Sequence, residues 1–245
     1  MNKLRTRDLL RIGLRLTLIQ STWSECGMQS EGLAYCLALG FKRIFSSQQD
    51  VDDAVRRYRT TFNTHPFLAG VVAGAVLRME EDGTSPKKIA SFMRSIMGPL
   101  GALGDPFFKN ALAPAASAVA AVIALIWGPI PGVVSFLLLF NLVHLIVRIA
   151  GIFVGYRDGE QVMTKPADWI GSARTRALKT VCSTSCGVAM GLMAFRFFEP
   201  NVTMTIILGG LGCMACALVL KGRRFLWVYA TPVLLGAVFA AELVL

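Results

Sequence analysis

Long apolar runs dominate the second half of the chain. Residues 110–147 contain no Asp, Glu, Lys or Arg side chain. A helix that crosses the hydrocarbon core of a bilayer needs about 20 predominantly apolar residues. Polar breaks and an expected turn at Pro129–Gly132 divide the runs into five predicted spanning helices: 111–130, 133–156, 180–195, 202–220 and 225–241.

The first sixty residues have a different pattern. Leucine and isoleucine alternate with arginine over residues 3–20, which predicts a basic amphipathic helix on the cytoplasmic membrane face. A second, more apolar helix is expected over 29–45. In the next segment Ser47 and Asp50 have the spacing of a capping box, and apolar residues follow at helical spacing. We therefore predict that residues 1–60 form cytoplasmic or interfacial amphipathic helices.

Two short apolar runs lie between these regions, at residues 66–77 and 95–104. Neither is long enough to span a bilayer, and the polar stretch 80–88 joins them. The second run is expected to end at Asp105-Pro106. We predict a re-entrant helical hairpin over 61–110, since irregular backbone at membrane depth survives where protein or a watery cavity surrounds it.

Composition and charge support a membrane protein. Of the 245 residues, 54% are hydrophobic and 16% are charged, and the mean hydropathy is +0.57. These values exclude a disordered chain and a small disulfide scaffold, and they argue against a water-soluble enzyme. The predicted fold is an all-α, polytopic integral membrane protein with about five spanning segments within 111–245.

The net charge of the chain is +10, and basic residues separate several of the apolar runs. Basic residues cluster within 157–179 and at Lys221–Arg224, as in cytoplasmic loops, whereas a nucleic-acid-binding protein would need a basic face on a water-exposed fold. With 157–179 as a cytoplasmic loop, the N-terminus is predicted to be cytoplasmic and the C-terminus external.

The sequence lacks three common motifs of nucleotide-binding and hydrolytic enzymes. It has no P-loop, no H-E-x-x-H zinc helix and no G-x-S-x-G nucleophile elbow. The pairs Cys182/Cys186 and Cys213/Cys216 have helical spacing in apolar runs without nearby His or acidic ligands, which favours helix packing over a metal site. We expect no catalytic residue, no metal and no cofactor on this chain.

Polar side chains beside or inside the apolar segments are the candidate binding groups. Ionisable groups at membrane depth are costly and often mark a substrate pathway. Five polar residues lie beside the short runs: Asn63, His65, Glu80, Glu81 and Asp105. The carboxylates and the amide among them are groups that can bind the hydroxyls of a carbohydrate. In addition, Asn141, His144 and Arg148 share one face of a predicted spanning helix.

Simpler interpretations of several of these residues stay open. Glu80 and Glu81, together with Asp82, can form a solvated helix end. His144 can pack against a neighbouring helix and hydrogen-bond to it. Arg148 can extend its charged group to the cytoplasmic interface.

Several motifs, in order and with their spacing, resemble one family over nearly the whole chain. They are Trp23 with Met28-Gln29 and Gly32, Phe62–Phe67 with Met79–Glu81, Met97–Leu100 with Gly104-Asp105, Asn141–His144 with Arg148, Gly151 and Gly155-Tyr156, and the basic turn Lys221–Arg224 before a terminal apolar helix. The chain resembles the IID membrane component of the mannose/fructose/sorbose family of the bacterial phosphotransferase system.

The resemblance implies a transport role in the bacterial inner membrane. Such a subunit pairs with a IIC membrane subunit, and the pair is expected to form homo-oligomers. Together they carry a hexose or related sugar inward, and cytoplasmic IIA and IIB units phosphorylate it. The phosphorylated histidines belong to those units, so this chain is expected to belong to a sugar-phosphorylating complex without a catalytic residue of its own.

The resemblance also gives the candidate residues a shared role. Asn63, His65, Glu80, Glu81 and Asp105 are expected to line or support the sugar pathway, with pathway or structural support from Gln29, Asn141, His144 and Arg148. The alternative is a membrane scaffold, or a receptor for a bacteriocin-like peptide, without transport activity of its own.

Overall fold

The computed structural model describes residues 3–164 and 170–197, which are predominantly helical. The all-α class predicted from the sequence is therefore confirmed for this part of the chain. The spans predicted at 202–220 and 225–241, the turn at Lys221–Arg224 and the pair Cys213/Cys216 lie outside the described residues. The helices are α1 (Thr6–Arg15), α2 (Ser30–Ile44), α3 (Gln48–Arg57), α4 (Ala69–Glu81), α5 (Pro86–Gly104), α6 (Ala113–Trp127), α7 (Pro129–Asp158) and α8 (Ser172–Phe197).

The chain divides into two compact units. The first contains Met1–Asp105 and Val143–Ile170, and the second contains Pro106–Leu142 and Gly171–Leu245. The candidate residues other than Asn141 belong to the first unit. In the second unit α6 packs against α8.

Helix α4 is the centre of the first unit. Its sequence is apolar on every side from Ala69 to Leu77, and each of these residues is fully buried or nearly so. A helix that is hydrophobic all round is stable when other elements surround it. Helices α2 and α5, the 3-10 segment Gly159–Thr164 and the second half of α7 all contact α4.

Glycines bring α4 and α7 into backbone contact. A Cβ atom on Gly70 would collide with the Arg148 carbonyl, and one on Gly74 with the Ile152 carbonyl. In the reverse direction, a Cβ on Gly155 would collide with the Val71 carbonyl. Small residues four positions apart on both helices permit this close approach, as in tightly packed membrane helices.

Amphipathic packing explains the N-terminal helices. In α1, Leu9 and Ile12 are buried, and in α3, Val51 and Ala54 are buried while the charged face is exposed. The predicted cap of α3 is present, because the Asp50 N–H donates to the Ser47 hydroxyl at 3.0 Å. These helices therefore pack their apolar faces into the unit.

The turn predicted at Pro129–Gly132 is wrong by a few residues. Helix α6 ends at Trp127, Gly128 alone makes the turn with φ +100°, and α7 starts at Pro129. Glycine adopts positive φ without a steric cost, and proline suits the first turn of a helix because an N–H is not needed there. Gly132 then allows α7 to pack closely on α6, where an added Cβ would lie 2.6 Å from the Ala124 Cβ.

The break expected at Asp105-Pro106 is also wrong. After α5 the chain stays helical through the π-helical segment Asp105–Leu112 and continues into α6. Proline removes one hydrogen bond from a helix, and a wider π turn is one known way to accommodate such a disruption. Two helical stretches in the described part of the chain are long and apolar enough to cross a membrane: Pro86–Trp127 and Pro129–Met163.

The α4–α7 contact predicts a large difference between two glycine substitutions. Gly74→Ala should destabilise the protein by about 1–3 kcal/mol, because the methyl group overlaps the backbone of α7. Gly101→Ala, on α5 with no neighbouring atom within 4 Å of the added Cβ, should be neutral or stabilise by up to about 1 kcal/mol. Thermal unfolding of the two purified variants in detergent measures both effects, and equal midpoints would contradict the tight contact.

Candidate functional site

The loop between α3 and α4 carries Asn63 and His65, and Gln29 holds it in place. The buried Gln29 amide donates from Nε2 to the Thr64 carbonyl at 2.8 Å, and its Oε1 accepts from the Thr64 N–H at 3.4 Å. The backbone N–H of Gln29 also donates to the Phe62 carbonyl at 2.8 Å. A buried side chain that satisfies both its donor and acceptor with the same residue fixes the local backbone.

The same loop is joined to α5. The Thr64 hydroxyl donates to the Met97 carbonyl at 3.0 Å, and the Asn63 N–H lies 3.4 Å from the Met97 sulfur. The Asn63 residue itself is exposed. The loop therefore presents an amide on a backbone that is held from both sides.

His65 and Asp105 come together where α5 ends. The His65 imidazole is buried against Gly104, where a Cβ atom would overlap the ring, and its Nε2 lies 3.8 Å from Asp105 Oδ1. The His65 Nδ1 accepts from the Phe67 N–H at 3.3 Å, which places the proton of a neutral ring on Nε2, towards Asp105. The Asp105 side chain is 53% exposed, so its carboxylate is accessible beside a buried histidine.

An aromatic stack lies behind His65. The Phe67 ring meets the His65 ring edge-on at 5.1 Å between centroids and stacks on the His144 ring at 4.3 Å. The Arg148 guanidinium lies 5.1 Å from the Phe67 centroid, a cation–π distance. His144 thus packs against an aromatic ring, in agreement with its simpler interpretation.

Arg148 is inside the protein and does not extend to an interface. It is 4% exposed, and its Nη1 donates to the Leu16 carbonyl at 3.0 Å. This carbonyl belongs to the 3-10 turn that follows α1. The arginine therefore connects α7 to the N-terminal segment. Asn141, in the second unit, is exposed and donates from Nδ2 to the Leu137 carbonyl of its own helix at 2.7 Å.

Glu80 and Glu81 lie at the opposite end of α4 from His65. The buried Glu80 carboxylate accepts from Arg57 Nη2 at 3.0 Å and from the Tyr58 hydroxyl at 2.7 Å. Glu81 accepts from the Leu4 N–H at 3.1 Å and from the Tyr156 hydroxyl at 2.6 Å. Burial, and then the charge and hydrogen bond of Glu80, raise the pKa of Tyr58 above its usual value, so the phenol stays protonated as a donor.

The five sequence-predicted residues therefore form two groups. A helix of 13 residues is about 20 Å long, and α4 separates Asn63, His65 and Asp105 from the two glutamates. Glu80 is not part of a solvated helix end, because other side chains enclose its carboxylate. Sequence reasoning missed Arg57 and Tyr58. A buried carboxylate needs a cation or hydrogen-bond donors nearby, and this rule could have directed attention to the two residues.

A cavity of about 240 Å³ lies beside Glu80, between the segment that follows α3 and helix α5. Cavities for drug-sized ligands start near about 300 Å³, so this one fits a smaller solute. The hydroxyls of Thr60 and Thr61 and the guanidinium of Arg94 add polar groups that sequence reasoning did not select. Its lining includes Arg57, Thr60, Thr61, Glu80, Arg94 and Met97.

The fold and the polar groups define a helical membrane protein with a fixed polar loop beside its apolar helices. Residues 3–219 match the family description "PTS system mannose/fructose/sorbose family IID component". The chain belongs to this family, and the resemblance predicted from its motifs is confirmed. It is thus the IID component of a mannose/sorbose-family phosphotransferase transporter and a membrane protein.

Individual relatives agree with this assignment. The chain is 32% identical over 210 residues to the mannose-specific EIID component of Escherichia coli (strain K12), covering 83% of this chain and 72% of that protein. It is 30% identical over 220 residues to the sorbose-specific EIID component of Lacticaseibacillus casei, covering 84% and 74%. It also resembles a chain of the cryo-EM structure of the mannose transporter ManYZ with microcin E492, with TM-score 0.62, 28% identity, and coverage of 81% and 73%.

The Glu80 contacts predict a stability effect that does not depend on sugar. Glu80→Ala should lower the free energy of unfolding by about 1–3 kcal/mol, because Tyr58 loses its acceptor and the part-exposed Arg57 loses its buried partner. Asp82→Ala is the matched control, since Asp82 is an exposed carboxylate two residues away. Denaturant or thermal unfolding in detergent compares the two, and an equal loss would show that burial of Glu80 contributes nothing.

Proposed function

We propose that this IID chain forms, with a IIC membrane subunit, the translocation pathway for a mannose-type hexose or related sugar. The observation that carries the proposal is the polar loop: an exposed amide and an accessible carboxylate lie on backbone that Gln29 and α5 hold in place. Cytoplasmic IIA and IIB units supply the phosphate. The pair of membrane subunits assembles into a homo-oligomer in the bacterial inner membrane.

The two groups of polar residues have different tasks in this proposal. Asn63 donates to and accepts from sugar hydroxyls, and the Asp105 carboxylate accepts from them. The buried His65 imidazole supports Asp105, with its Nε2 3.8 Å from the carboxylate. Glu80 and Glu81 support the pathway by fixing the α3 end and the N-terminal segment to α4.

The remaining selected residues are supports in the same proposal. Gln29 fixes the loop, and His144 and Arg148 hold Phe67 behind His65. Asn141, in the second unit, is assigned the same supporting role. The sequence-predicted role of these four residues as pathway or structural support is kept.

The membrane arrangement follows the distribution of charge. Residues 1–60 lie on the cytoplasmic side, 61–110 enter the membrane as a helical hairpin, and about five spans within 111–245 follow. The basic segment 157–179, which includes the start of α8, and the N-terminus are cytoplasmic, and the C-terminus is external. The apolar sequence of α4 from Ala69 to Leu77 supports a membrane-embedded hairpin, because its charged residues are confined to its last turn.

The exposed apolar side chains of α7 support a membrane environment with a IIC partner. Large side chains on this helix are strongly exposed in the isolated chain, and both lipid and an apolar partner helix can cover them. These residues include Ile130, Val133, Leu138, Leu142 and Ile146.

Asp105→Asn and Asn63→Ala should each reduce sugar uptake at least about tenfold at low sugar concentration. The first replaces a charged acceptor with a weaker neutral one, and the second removes the amide that contacts the sugar. Uptake of labelled mannose is measured in cells that produce each variant with its IIC, IIA and IIB partners. Asp82→Asn removes an exposed carboxylate away from the loop and should transport normally. Normal uptake by both site variants, at equal amounts in the membrane, would reject the site.

A second candidate function is that of a receptor for a bacteriocin-like peptide without transport of its own. It is favoured by the ManYZ structure, which contains microcin E492. The two candidates differ in one measurement. A chain that makes cells sensitive to such a peptide, but supports no uptake of any hexose with its IIC partner, is a receptor alone.

A further inference from the structure

The outer face of α1 carries an apolar stripe that the described residues leave uncovered. Leu10, Leu14 and Leu18 follow at intervals of four residues and are 43%, 48% and 50% exposed. The opposite face of the same segment is buried, with Leu9, Ile12 and Leu16 in the protein interior. The leucine stripe therefore lies on the side of this segment that does not pack into the protein. A regular row of exposed leucines indicates an interaction surface.

Cationic side chains border this stripe. Lys3, Arg5, Arg7 and Arg11 are exposed, and Arg15 is half-buried with its guanidinium 4.7 Å from the centroid of the exposed Tyr35 ring. Asp8 is the one acidic residue between positions 3 and 20, and its carboxylate accepts the Arg5 N–H at the start of α1. The stripe therefore lies within a strongly positive surface.

We propose that this face of α1 binds anionic phospholipids of the cytoplasmic leaflet. Moving the leucine side chains from water to the boundary of the acyl chains is favourable in free energy, while the arginines donate to phosphate oxygens at the headgroup level. The combination of an apolar stripe and a positive border matches a negatively charged bilayer surface. A free phosphate would satisfy the arginines but would leave the leucines in water.

The lipid-binding face is firmly connected to the interior of the first unit. At one end of α1 the Leu4 N–H donates to Glu81, and after the other end the Leu16 carbonyl accepts from Arg148. Between them Gly13 lies against α7, where an added Cβ would be 3.3 Å from the Ile152 side chain. Lipid bound to α1 therefore sets the depth and tilt of the body that carries the polar loop.

The cytoplasmic location of α1 rests on the proposed function, but its lipid selectivity does not require sugar transport. The test uses the full chain in nanodiscs of mixed phosphatidylcholine and phosphatidylglycerol, with a fluorescent noncanonical amino acid in place of Leu14. Bromine on the acyl chains of one lipid or the other quenches the fluorophore on contact. Two discs of identical composition then differ only in which lipid carries the quencher.

Quenching should be stronger with brominated phosphatidylglycerol than with brominated phosphatidylcholine at equal mole fraction. Arg7→Gln/Arg11→Gln should raise the phosphatidylglycerol fraction needed for half-maximal quenching by up to about thirtyfold, since each basic side chain near an anionic surface strengthens binding about fivefold. Arg56→Gln/Lys87→Gln removes two exposed cations elsewhere and should leave the preference unchanged.

Three results would overturn the proposal. Equal quenching by both lipids means bilayer contact without selectivity for anionic lipid, and no quenching by either means that water or protein covers the face. Quenching that is lost when the IIC partner is co-purified identifies a protein as the occupant. Sugar uptake by the same arginine variants is measured separately. The fluorescence result can therefore be interpreted even if the transport proposal fails.

Discussion

Backbone contact between α4 and α7 is the constraint on which the first unit depends. Three glycines make this contact possible, because in any other residue the Cβ atom would collide with a carbonyl of the facing helix. They are Gly70, Gly74 and Gly155. The two helices can then approach more closely than larger side chains would allow. This approach brings Phe67, just before α4, against His144 of α7, next to the polar loop that Gln29 and α5 hold in place.

Buried charges connect the remaining elements to this helix pair. A buried charge is costly unless another element supplies its partner, so each such contact specifies one neighbour. Glu80 accepts hydrogen bonds from Arg57 and Tyr58 at the end of α3. Arg148 donates to the Leu16 carbonyl in the segment after α1. The amphipathic N-terminal helices are thereby attached to the helices around which the unit is built.

The candidate site could be predicted in part from the sequence. Composition and motif order selected Asn63, His65 and Asp105, and the structure places His65 and Asp105 together with Asn63 on the adjoining loop. Glu80 and Glu81 were selected for the same chemistry, yet they lie at the other end of α4 and bind other parts of the protein. Distance along a helix separates the two groups, and spacing in the sequence does not reveal which donors each carboxylate meets.

The sequence by itself determined the helical class, the amphipathic N-terminal helices, the presence of long apolar helices and the family, because periodicity, composition and motif order can be read from the chain without its tertiary contacts. Tertiary structure decided which glycines face another backbone, which charges are paired and how the chain passes Pro106. Those outcomes depend on elements that are distant in sequence, such as Leu16 and Arg148, and meet only when the chain packs. The turn at Gly128 is a second example. The sequence contains Gly128, Pro129, Pro131 and Gly132, and the packing of α7 on α6 decided that Gly128 makes the turn.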